Sequence, residues 1–140
     1  PKPSSAASDV YKRQVLHLHN YRLVCAVAVC FTHGEDCTRC HGRNTLPGVR
    51  LPPGWSKPSA DIRFLVPPGY PFAQLDCFWA DADLTLANGS APQNSGPNPI
   101  PEAGDLGLWF SWHLTGPWNP NRDTLSTWMN VVLERLRQAI

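Results

Sequence analysis

The chain has 140 residues, with 15 prolines, 10 glycines, six tryptophans and a formal net charge of +1, enough for one domain with its own core. No apolar run approaches the roughly 20 residues that cross a bilayer, and the tryptophan content argues against disorder. From Asn44 onward six Lys/Arg stand against eight Asp/Glu, a balance of −2, so that half carries no basic patch for nucleic acid; neither nucleic acid nor a membrane is expected as a partner.

Four of the five cysteines cluster at Cys25, Cys30, Cys37 and Cys40, and Cys77 stands alone in the later half. An odd, clustered set does not suit a disulfide framework, and the expected setting is the reducing cytoplasm. Ser4 to Gln14, SSAASDVYKRQ, looks like a translated sequencing-library adapter. Residues 1–14 are therefore set aside as an artefact, with the native N-terminus truncated. Residues 15–45 are uncertain: either strands around Val24, Ala26, Val27, Val29 and Phe31, or non-native chain. Within them Cys37, Cys40 and His41 form C-x-x-C-H. That pattern attaches c-type haem, or with His33 could bind zinc. No second ligand pair follows at the usual spacing, so no cofactor is expected and these three remain weak metal candidates.

From Leu46 the text changes, and residues 46–140 read as one domain. Leu46 to Pro53 is a turn-strand-turn unit. Asp61 to Val66, DIRFLV, alternates Ile62, Phe64 and Val66 with Arg63 and Leu65, an antiparallel strand. Pro67 to Asp81 then holds a Gly-Tyr-Pro-Phe turn, where Pro71 removes a donor and fixes φ, and a short strand from Leu75 to Trp79. Residues 81–105 are polar and loop-like, a length that suits a functional loop. Gly107 to His113, GLWFSWH, is aromatic and half-buried, and Gly116 to Pro120, GPWNP, is a tight corner. Asp123 or Thr124 can cap a helix in which Leu125, Trp128, Met129, Val132, Leu133 and Leu136 make one apolar face. Glu134, Arg135, Arg137 and Gln138 are expected toward solvent.

This order resembles the ubiquitin-conjugating-enzyme (UBC) fold, in which a Tyr-Pro-Phe turn, a strand ending in an aromatic, an active-site loop, a Trp-x-Pro corner and a helix follow one another. Tyr70-Pro71, Asp76-Cys77-Phe78-Trp79, Leu86-Ala87-Asn88-Gly89, Trp109, Ser111-Trp112-His113, Trp118-Asn119-Pro120 and Asp123-Thr124-Leu125 are similar to the series carried by prokaryotic UBC-like family E. The match runs from about Leu46 to Leu136. The resemblance implies an α+β fold, an antiparallel meander packed on a C-terminal helix. It also implies a bacterial ubiquitin-like modification system in which a ThiF-type activating enzyme passes a ubiquitin-like protein to a cysteine, with a JAB-type peptidase as a further operon member.

Such a transferase needs a thiolate in a polar loop and a donor for the oxyanion. Here Ala80 to Pro117 contains no cysteine. The usual spacing lands near Ser95 counting forward from Trp79, and near Phe110 or Ser111 counting back from Trp118. The histidine-proline-asparagine element before the usual cysteine is missing too. The candidate catalytic residues are therefore His113, as base or oxyanion donor, Cys77, the only thiol of the matched region, and Ser111. Cys77 reads equally as a packed structural thiol. Two functions stay open: a conjugating-enzyme-like protein of unusual mechanism, and a non-catalytic module that binds a ubiquitin-like protein.

Overall fold

The computed structural model describes residues 42–140. The adapter-like stretch, the alternating run to Phe31 and the Cys37-Cys40-His41 pattern lie outside the described residues. Five strands and one helix follow in order: β1 Gly42–Arg50, β2 Ser59–Val66, β3 Phe78–Ala80, β4 Ser95–Pro99, β5 Leu106–Phe110 and α1 Leu125–Leu136. All pairings are antiparallel and the sheet order is β1-β2-β3-β5-β4. The architecture is α+β. The first three strands run as the expected meander, but β4 and β5 join as a hairpin whose second strand, not its first, lies against β3.

β2 shows why the alternation is informative. Ala60, Ile62, Phe64 and Val66 are buried and the residues between them half-buried, as the period-2 pleat demands. The buried set packs against Leu125, Trp128, Val132 and Leu136 of α1, each side chain contributing about 1.5–3 kcal/mol on burial. Both ends of α1 are fastened to loops of the sheet side. At the N-terminus Thr124 caps, its hydroxyl accepting from Ser126 N–H at 3.2 Å while Thr127 Oγ1 accepts from Thr124 N–H at 3.0 Å. At the C-terminus Trp55 Nε1 donates to the Leu136 carbonyl at 2.8 Å. No helix among the described residues is long and apolar enough to cross a membrane.

Three expectations change. The region 81–105 is not one loop. It carries an antiparallel bridge from Trp55 to Leu86 and then β4, paired residue by residue with β5. β4 reads SGPNP and has no apolar signal. It exists because β5 offers an open ladder, and it lies at the sheet margin, where proline is tolerated. The strand after the Tyr-Pro-Phe turn begins at Phe78, not Leu75, because Cys77 adopts φ 59 and breaks the pleat. Arg135 does not face solvent; it is 1 % exposed. Its guanidinium donates to the carbonyls of Gln138 (2.7 Å), Gln93 (2.9 Å) and Ile140 (3.2 Å). It also lies 5.0 Å from the Phe110 ring centroid and 5.4 Å from that of Trp112. Burial lowers its pKa.

Candidate functional site

The Tyr-Pro-Phe turn and the Trp-Asn-Pro corner lie 47 residues apart in sequence and touch in space: Trp118 Nε1 donates to the Pro71 carbonyl at 2.7 Å. The buried Tyr70 ring packs 6.3 Å from that of Trp118, and its hydroxyl accepts from Leu125 N–H, the first turn of α1, at 3.2 Å. The corner itself is closed by Asp123, which accepts from Asn119 N–H at 2.8 Å and pairs with Arg122 at 3.3 Å. These contacts hold the pathway from β3 to α1 in one frame, and the candidate residues lie inside that frame.

The β3–β5 register pairs Phe78 with Phe110 and Trp79 with Trp109. Continued by one residue it would set Cys77 against Ser111. Instead Cys77 N–H donates to the carbonyl of Trp112 at 2.9 Å, a slip of one residue at the point where φ turns positive. A bulge of this kind re-aims the side chains around it. Ser111 faces the other way along the ladder, its N–H donating to the Asn94 carbonyl at 2.9 Å beside β4. The slip brings residues 76–77 alongside 112–113. Asp76 Oδ1 lies 3.4 Å from His113 Nδ1, both side chains more than 60 % exposed.

Cys77 is half-buried and is the one cysteine among the described residues. Burial pushes its thiol pKa up. A backbone hydrogen bond from Trp112 works against that, the charge and hydrogen bond of Asp76 reinforce it, and a hydrogen bond from the Trp109 side chain opposes it. The sulfur thus has donors on one side and a carboxylate on the other. At neutral pH it rests as a thiol. The chemistry available is a weakly acidic nucleophile, an adjacent carboxylate and an imidazole open to solvent.

The Leu86-Ala87-Asn88-Gly89 element is a tight turn, with Gly89 N–H donating to the Leu86 carbonyl at 2.9 Å and Gly89 at φ 85. It is clipped to the chain before Trp55 by Ala87 N–H to the Gly54 carbonyl at 2.8 Å. Among the described residues no group of three or more His, Cys, Asp or Glu is placed to hold a metal ion. The sequence singled out His113, Cys77 and Ser111. The structure brings the first two to one end of β3 and β5 and adds Asp76, Trp109 and Trp112. Asp76 stands immediately before Cys77 in the chain; its proximity to His113 depends on the ladder slip, which no local pattern announces.

A twisted antiparallel sheet, a Tyr-Pro-Phe turn locked to a Trp-Asn-Pro corner and one closing helix define a ubiquitin-conjugating-enzyme-like domain. The model of prokaryotic E2 family E matches residues 33–139, and the chain belongs to that family. No curated protein and no solved structure matches it.

Proposed function

We propose that the protein works in the bacterial cytoplasm as a conjugating component of a ubiquitin-like modification system, with Cys77 as acceptor thiol and His113 beside it. The observation that carries this reading is the placement of the one described thiol on a bulge at the end of the central strands, next to an exposed imidazole and carboxylate. The partners are a ubiquitin-like protein and a ThiF-type activating enzyme, with a JAB-type peptidase in the same operon. In the step assigned to it, the Cys77 sulfur attacks the activated C-terminal carbonyl of the ubiquitin-like protein. A carbon–sulfur bond forms and the activating enzyme's own thiol leaves with the proton. His113 then serves the incoming amine as base. Ser111, tied toward β4, is left outside this centre.

A second reading has its own support. A thiol pushed up by burial and by Asp76 is a reluctant nucleophile, and this favours a module that holds a ubiquitin-like protein without accepting it. One experiment separates the two. The ubiquitin-like and activating proteins encoded beside this gene are mixed with the chain and ATP. A thiol-reducible adduct that disappears in Cys77→Ala supports transfer. Binding without an adduct supports the module, and neither binding nor adduct removes both.

A further inference from the structure

The carboxylate of Asp76 has two neighbours that a passive surface residue would not share. On one side it lies 3.4 Å from His113 Nδ1. On the other it hydrogen-bonds the Cys77 thiol. The chain is fixed between them by the Cys77 N–H to Trp112 carbonyl bond at 2.9 Å, which seats residues 76–77 against 112–113. The usual order in a thiol centre runs sulfur, imidazole, carboxylate, with the imidazole in the middle. Here the carboxylate occupies the middle.

We propose that Asp76 is the positioning residue of this centre: one carboxylate serves both the Cys77 thiol and the His113 ring, holding the sulfur as an uncharged donor until that carboxylate is neutralised or drawn away. This rests on the reading of Cys77 as the acceptor thiol, and it adds regulation to it. The resting protein is silent toward stray electrophiles. A partner that brings a cation or a hydrogen-bond donor to Asp76 frees the sulfur, on which the Trp112 and Trp109 hydrogen bonds already converge to stabilise the thiolate. His113 is held through Nδ1, which leaves Nε2 toward solvent, where an amine would arrive.

The test is the pH dependence of Cys77 alkylation by iodoacetamide in the full chain, with no partner present. Trypsin releases residues 64–122 as one peptide whose only cysteine is Cys77, so mass spectrometry reads this thiol apart from the other four. In Asp76→Asn the midpoint is expected to fall by about one pH unit, the size typical of losing one nearby like charge, and alkylation at pH 7 to rise by up to about tenfold. Asp76→Glu, which keeps the charge, is expected to keep most of the wild-type profile. A residue that merely supports the fold would not separate the two variants. Asp76→Ser provides the same reading should the Asn variant fold poorly. An unchanged midpoint, or one that rises, in Asn and Ser variants that melt like wild type overturns the proposal. The alkylation arm is independent of the thioester trap. A shifted profile with no adduct leaves the Asp76 assignment standing and removes the transfer reading, whereas an adduct with an unshifted profile does the opposite.

Discussion

The Trp118 indole donates to the Pro71 carbonyl at 2.7 Å, and through that bond the turn before β3 and the corner before α1 become one structural unit. Tyr70 completes it by accepting from the first turn of the helix at 3.2 Å. Trp118→Phe keeps most of the packing and removes the donor. It is expected to cost about 1 kcal/mol. Tyr70→Phe orphans a buried N–H and is expected to cost about 1–3 kcal/mol. Because the two rings are in contact, the double variant should depart from the sum of the single ones by at least about 0.5 kcal/mol. Urea denaturation of the four proteins measures all three quantities.

Arg135 gives the second prediction. Its guanidinium satisfies three carbonyls from two segments and lies against aromatic rings. Arg135→Met restores apolar volume but strands the acceptors, and is expected to cost about 2–3 kcal/mol. Arg135→Lys should recover only a small part, since an ammonium cannot match a planar fork. The signature is a lower urea midpoint at an unchanged slope.

Asp123 should make stability depend on acid pH. The Asn119 backbone N–H and then the Arg122 side chain hold its carboxyl below the usual carboxylate range. A depressed folded value means the contribution is fully present above the ordinary carboxylate pKa and is lost as pH falls through the lower, folded one. Wild type is therefore expected to exceed Asp123→Asn in thermal midpoint at pH 6, with the gap closing below about pH 3. A gap that stays constant across the titration would rule out this role.

Gly107 marks the close approach of the β4–β5 turn to the central sheet. A Cβ built there would stand 2.9 Å from Ile100 Cγ1 and 3.2 Å from the Ala80 carbonyl oxygen. Gly107→Ala is expected to destabilise by about 1–3 kcal/mol through overpacking. Ile100→Val in the same chain should relieve part of it, a recovery visible in the thermal midpoint.

Parts of this molecule were legible in its residues because their signals are local. The alternation of Ile62, Phe64 and Val66 and the helical stripe from Leu125 to Leu136 each depend on one element's own periodicity, and both were found where expected. The Tyr-Pro-Phe and Trp-Asn-Pro motifs pointed to a family and proved to be in contact. β4 was not legible, because a strand of Ser, Gly, Pro and Asn is created by its partner rather than by its own composition. Arg135 was misplaced because its charge suggested water, while aromatic faces and carbonyls from distant segments supply an alternative. The meeting of Asp76 with His113 follows from a one-residue slip between β3 and β5, and a slip leaves no mark on either strand's sequence.

The prolines of β4 have a consequence for how this sheet meets other molecules. Pro97 and Pro99 are two apart, so both turn the same side of the main chain outward, and the side of β4 away from β5 lacks N–H groups at these two positions. That margin cannot be extended by main-chain hydrogen bonding at both places, so an added peptide or a second copy finds no template there. Recognition along this flank has to proceed through side chains, and side-chain contacts, unlike a generic strand ladder, discriminate between partners.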